Sequence, residues 1–165
     1  MASKVVSNTG PLIHCSEIQV GELFLIWKNI LIPQEVKKEL TSLQVKGPWI
    51  TKVRVMGLQG KSKDYAKALE NKFNLDAGES AALALVTQEH ASVFFTDDLD
   101  ARTVAGLYNI PVHGTLGILM RIFREGKLSK ENTIEKIKEL HQKSSLYITS
   151  DIISYAIKEI HQYKK

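Results

Sequence analysis

The sequence predicts an α/β protein with a mostly parallel sheet covered by helices on both faces. Short apolar runs of strand length recur along the chain, at Lys4 to Ser7, Ile30 to Ile32 and Ser92 to Phe95. Each is followed by a stretch with helical periodicity, and strands separated by helices pair in parallel with both faces buried. No repeat, linker or composition break interrupts the chain, so residues 1–165 read as a single domain, long enough to bury its own core.

Lys4 to Ser7 opens the chain as a brief strand, and Asn8-Thr9-Gly10-Pro11 reads as a turn with Pro11 the first helical residue. Leu12, Ile13, Ser16 and Glu17 continue a short helix, and Glu22 to Trp27 forms another. Ile30-Leu31-Ile32 is a buried strand stopped by Pro33, and Gln34 to Leu40 is helical. Ile50 to Val55 alternates Ile and Val with Thr, Lys and Arg, the pattern of a half-exposed strand. Helices over Asp64 to Phe73 and Gly78 to Glu89 lead to the buried strand Ser92 to Phe95. A helix over Leu99 to Tyr108 ends at Asn109, and Pro111-Val112 forms the last strand. Helices over Leu116 to Arg124, Glu131 to His141 and Ile152 to Tyr163 close the chain.

Composition excludes several classes. With 44% hydrophobic and 24% charged residues the chain is globular rather than disordered. The lone Cys15 excludes an internal disulfide and a multi-cysteine zinc site, and points to a reducing, cytoplasmic setting. Leu23 to Trp27 and Ala81 to Val86 are far short of the roughly 20 residues a membrane helix needs, and no secretory leader is visible. The net charge of +4 is unevenly spread. Between Lys37 and Lys72 nine basic residues face three acidic ones, which suits a polyanion-binding surface or a solvated lysine face.

In parallel sheets ligands sit beyond the carboxyl ends of the strands. Chemistry is therefore expected at Asn8-Thr9, at Thr96-Asp97-Asp98 and at His113-Gly114-Thr115. The adjacent carboxylates of Asp97 and Asp98 repel each other unless a cation neutralises them, and hard oxygens suit Mg²⁺ or Mn²⁺. Helix capping explains one of these aspartates more readily than both. Asp76 and Glu79 have capping-box spacing, while Glu79 also falls in a first helical turn facing the strand ends; both readings stand. Glu39 alone reads as a surface glutamate. Gly60-Lys61-Ser62 lacks the earlier glycine of a phosphate loop, and Gly78-Glu79-Ser80 lacks the second glycine and preceding strand of a nucleophile elbow. The five histidines show no helical pair at ligand spacing, and Cys15 reads as a small core residue.

Val5 to Ile13, Ile32-Pro33 with Val36 to Leu40, Gly78 to Leu85, Thr96 to Arg102 and His113 to Gly117 follow one another in a distinctive order and spacing. Together these segments resemble the PIN-domain nucleases, in particular a prokaryotic PIN-like subgroup related to the toxin ribonucleases of toxin–antitoxin systems. The resemblance implies a three-layer α/β/α sandwich that cleaves RNA with Mg²⁺ or Mn²⁺ held by acidic residues. It also implies an antitoxin-like partner and a homodimer. Carried over by position, the family's first carboxylate falls on Asn8, its glutamate on Glu39 and its third acid on Glu79. The fourth falls on Asp97 or Asp98, with the spacing favouring Asp98. Glu79, Asp97 and Asp98 would then hold the metal, Asn8 and Glu39 completing the shell. Thr9 and Thr96 would bond water or phosphate, and Lys61, Lys63 and Lys67 would grip the RNA backbone. The amide at Asn8 removes one negative charge, which favours the alternative of a weak or inactive PIN-like module that binds nucleic acid or a partner.

Overall fold

The computed structural model describes residues 4–164. Its strands are β1 (Lys4–Ser7), β2 (Asn29–Pro33), β3 (Arg54–Met56), β4 (Val93–Phe95) and β5 (Val112–His113). They form one sheet in the order β3-β2-β1-β4-β5, every pair parallel. Successive strand residues point to opposite faces, so each short apolar run serves two cores. Val5, Ile30, Ile32, Val93 and Phe95 enter the core on one face, and Val6, Leu31 and Phe94 enter the other.

Helices α1 (Thr9–Glu17), α2 (Gln34–Ser42), α6 (Thr115–Arg124), α7 (Lys130–Lys143) and α8 (Ser150–Gln162) pack into the first core. Helices α3 (Lys61–Phe73), α4 (Ala77–Glu89) and α5 (Leu99–Leu107) pack into the second. The result is the expected three-layer α/β/α sandwich. Helix α4 is buried at Gly78 and from Ser80 to Val86, which accounts for its apolar run as core. Among the described residues no helix is long and apolar enough to cross a membrane.

Four local expectations are corrected. The first helix begins at Thr9 rather than Pro11, because extended Asn8 caps it: its Oδ1 accepts the Thr9 N–H at 2.9 Å. Pro11 is tolerated because first-turn N–H groups have no partner within the helix. The segment after it winds as a 3-10 helix over Gly21–Ile26. Ile50 to Val55 is divided: Pro48–Lys52 is a 3-10 helix, and only Arg54–Met56 joins the sheet as an edge strand. The reason is tertiary. Trp49 turns inward to stack on Phe24 with ring centroids 5.7 Å apart, where a Cβ at Gly21 or Gly47 would collide with its indole. The last strand lies one residue later than expected, at Val112–His113.

The strand order places β1 at the centre, with β2 on one side and β4 on the other. Chain connections diverge between β1 and β4, and their carboxyl ends open the crevice that such sheets use for ligands. The Asn8 N–H donates to the Phe95 carbonyl at 2.8 Å, carrying the pairing past the strand and setting Asn8 beside Thr96.

Candidate active site

Three helices, α1, α4 and α5, begin around this crevice, and each start contributes a polar side chain. Asn8 caps α1, Glu79 sits in the first turn of α4, and Asp98 caps α5 through Oδ1, which accepts the Ala101 N–H at 2.8 Å. Glu79 and Asp76 form a full capping box: Glu79 Oε2 accepts the Asp76 N–H at 2.9 Å, and Asp76 Oδ1 accepts the Glu79 N–H at 2.7 Å. Glu79 and Asp98 thus each spend one oxygen on a helix start, and their carboxyls lie close enough to share a hydrogen bond when Glu79 is protonated. Capping and a role in the site are compatible here, because a carboxylate has two oxygens and a helix start carries positive partial charge.

Burial pushes the Glu79 carboxyl up to about 7, and the neighbouring Asp76 and Asp98 carboxylates add to the rise against the lowering pull of the Asp76 N–H. Glu39 reaches into the same region from α2. It accepts the Thr9 hydroxyl, and its Oε1 lies where a Cβ on Gly78 would come within 2.5 Å. Among the described residues no Lys or Arg forms an ion pair with Glu39, Glu79 or Asp98.

Asp97 is not brought to this cluster. Its Oδ2 accepts the His14 Nδ1–H at 2.8 Å and the Thr115 hydroxyl at 2.6 Å, and its Oδ1 accepts the Thr115 N–H at 2.7 Å. A carboxylate can only accept, so the His14 proton in this bond sits on Nδ1. Asp97, expected as a metal ligand, here uses its carboxylate to tie β4 to α1 and α6. Thr96 is also reassigned. It is completely buried, and its Oγ1 accepts from Asn8 Nδ2 at 3.4 Å and the Asp98 N–H at 3.2 Å, out of reach of a phosphate. Thr9 commits its hydroxyl to Glu39.

His14 went unrecognised in the sequence because its partner lies 83 residues away and nothing local marks the pair. Ser80 gives its hydroxyl to the Asp76 carbonyl at 2.8 Å, as befits a residue that is no nucleophile. Cys15 is fully buried, and burial raises its thiol pKa well above the ordinary value.

The basic stretch is split by the fold. Lys61 and Lys63 stand in the first turn of α3, just beyond β3 and at the same end of the sheet as the acidic cluster. Lys67 follows a turn later, paired with Glu70 at 2.8 Å. Lys63 and Lys67 line a groove of about 360 Å³ that reaches Ala77 and Ser80 in the first turn of α4. Lys46 and Lys52 precede β3 and Lys72 ends α3, which places them towards the opposite end.

Among the described residues no three acidic, imidazole or thiolate groups are gathered into a ready-made metal cage. The donor chemistry nonetheless fits a hard divalent ion. Mg²⁺ is commonly held by one or two carboxylates together with water and substrate phosphate oxygens. The half-buried Glu79–Asp98 pair, with no Lys or Arg ion-paired to it among the described residues, offers such carboxylates.

The fold is an all-parallel α/β/α sandwich with acids collected beyond its central strands. Residues 4–162 match the family model DUF3368, described as a PIN domain, and the chain belongs to this PIN-domain family. Comparison with curated proteins finds no match.

Proposed function

We propose that the protein is a divalent-metal-dependent ribonuclease. The observation that carries this reading is the Glu79–Asp98 carboxylate pair at a strand-end crevice, where burial first, with the Asp76 and Asp98 carboxylates adding to it, raises Glu79 to about 7. Glu79 and Asp98 would hold Mg²⁺ or Mn²⁺, with Glu39 and Asn8 behind them. When bound, the ion supplies an acidified water and neutralises charge on the scissile phosphate. The chain's own residues fix the geometry. The Thr9 hydroxyl orients Glu39, the Asp76 backbone orients Glu79, and the first turn of α5 orients Asp98. Lys61 and Lys63, with Lys67 beside them, would take the RNA backbone along the groove towards α4, a contact that grips without reading sequence. The toxin role, the antitoxin-like partner and the homodimer belong to the same proposal and rest on the family resemblance.

The test is cleavage of a generic single-stranded RNA with Mn²⁺ against EDTA, in wild type and Asp98→Asn. Cleavage that needs Mn²⁺ and falls at least a hundredfold in the variant, about 2.7 kcal/mol of barrier, is expected. A second reading, a nucleic-acid- or partner-binding module without activity, is favoured by Asn8, whose oxygen already accepts the Thr9 N–H and whose NH₂ is turned to Thr96. RNA binding without cleavage, and no change in melting temperature with millimolar Mn²⁺, would select it.

A further inference from the structure

Beyond Asp97 the crevice continues into a second groove, of about 570 Å³, bounded by α5, β5, α6, the α7–α8 connection and α8. The acidic cluster accounts for none of its features. Its rim carries Tyr147, 88% exposed, Tyr155, 65% exposed, and Leu99, 77% exposed. Neither tyrosine has an aromatic partner or a hydrogen bond among the described residues. Two cations, Arg102 and Arg124, line the same groove without an ion pair among the described residues. Against them stands Glu159, since Asp97 is already bonded to His14 and Thr115. The His113 imidazole, also in the lining, is held below its ordinary pKa by burial and by Arg121, Arg124 and Arg102.

Exposed aromatic faces cost solvation unless something covers them, and free guanidinium groups call for an anion. A flat π-face joined to a phosphate satisfies both requirements at once. We infer that this groove binds unpaired nucleotides of an RNA strand on one flank of the cleavage position, Tyr147 and Tyr155 stacking on bases while Arg102 and Arg124 hold phosphates. Continuity supports the choice of occupant. Leu99 on the rim directly follows Asp98, so a strand crossing the acidic crevice enters this groove without turning away from the surface. Lys63 lies on the other side of the crevice, beyond α4, so the two grooves flank the acids. The inference rests on the ribonuclease reading and adds single-strand preference to it, since bases paired in a duplex cannot leave their stack to meet the tyrosines.

The test is equilibrium binding of a fluorescein-labelled single-stranded hexaribonucleotide to the full chain in EDTA, where no cleavage occurs. Comparison ligands are an abasic strand of equal charge and a duplex of equal length. Wild type should bind the base-bearing strand most tightly. Tyr147→Ala and Tyr155→Ala should each weaken that binding roughly tenfold, with the abasic strand unaffected and the phenylalanine variants within about twofold of wild type. Arg102→Gln with Arg124→Gln should weaken all three ligands and lower the salt dependence by roughly 1.4 log units for two contacts on a single strand. Equal affinity for abasic and base-bearing strands, or unchanged binding by both alanine variants, overturns the inference. So does a change in oligomeric mass on Tyr155→Ala with RNA binding intact, which would assign the groove to a contact between copies. Cleavage with Mn²⁺ is assayed separately: its absence with tyrosine-dependent binding intact refutes the nuclease reading alone, and its presence with tyrosine-independent binding refutes the subsite alone.

Discussion

At the carboxyl end of β4 two neighbouring aspartates meet opposite surroundings. Asp97 turns towards α1 and α6, where an imidazole, a hydroxyl and a backbone N–H all donate to it. Asp98 faces Glu79 of α4, another carboxylate whose pKa it raises, and a single N–H donates to it. One aspartate is consumed in holding the layers together; the other is left with an oxygen and an electrostatic deficit that an external cation can fill. Residue type is the same on both sides, so the supply of donors decides which acid is structural and which is open to chemistry.

The largest expected effect falls on the donor-rich side. Asp97→Ala leaves His14 and Thr115 without their acceptor in a site where the Asp97 side chain is only 11% exposed. It should cost about 3 kcal/mol, a fall of about 8 °C in melting temperature. Asp98→Ala loses one cap, about 1 kcal/mol, and regains part of it by relieving Glu79. Equal losses in thermal melts of the metal-free proteins would break the comparison.

Next comes the acid-poor position. Asn8→Asp should bind Mn²⁺ roughly tenfold more tightly by calorimetric titration, about 1.4 kcal/mol. The fold should accept the change, because the Thr96 hydroxyl now accepts from Asn8 and can rotate to donate to a carboxylate instead. Unchanged affinity would mean the amide oxygen serves as well as a carboxylate there.

Glu79 gives a pH signature. Its pKa in the folded, metal-free protein, about 7, lies above its ordinary value of 4.5. The fold therefore binds an extra proton between those values. This stabilisation is fully present below 4.5 and is lost as pH rises through 7. For a half-buried carboxyl screened by solvent the difference is on the order of 1 kcal/mol. Melting curves of wild type and Glu79→Gln from pH 4 to 8 should coincide in acid, diverge between 4.5 and about 7 and stay apart above 7, the variant being the more stable. Parallel curves would remove Glu79 from the repulsive pair.

The smallest effect is at Gly78. An alanine there displaces the Glu39 carboxylate rather than the backbone, so stability should shift by less than about 1 kcal/mol. Metal affinity should drop a few-fold, on the order of 0.5 kcal/mol. A large loss of stability would show Glu39 to be a structural acid like Asp97.

Much of the fold is legible because its signals are local. Val5-Val6 and Val93-Phe94-Phe95 are apolar on both faces, as strands between two helical layers must be, and the spacing of Asp76 and Glu79 announces a helix start. Asp98 and Glu79 are legible as candidate site acids for the same reason, each lying within a few residues of an element boundary. The alternation from Ile50 to Val55 misleads because period alone does not register Trp49, whose place is set by Phe24 and by the space at Gly21 and Gly47.

Sequence alone thus dictates which segments become strands and helices, and that polar residues collect at the ends of β1 and β4. Apolar periodicity and capping act over a few residues and need no knowledge of the rest of the chain. The division of labour among those polar residues is a tertiary matter. Asp97 becomes structural because β1 and β4 pair side by side and carry His14 on α1 and Thr115 on α6 to it from 83 residues upstream and 18 downstream. Asp98 remains open because the same packing brings it another acid instead of a donor. A carboxylate's role depends on charge and hydrogen-bond supply within a few ångströms, and in a parallel sheet those neighbours come from distant parts of the chain.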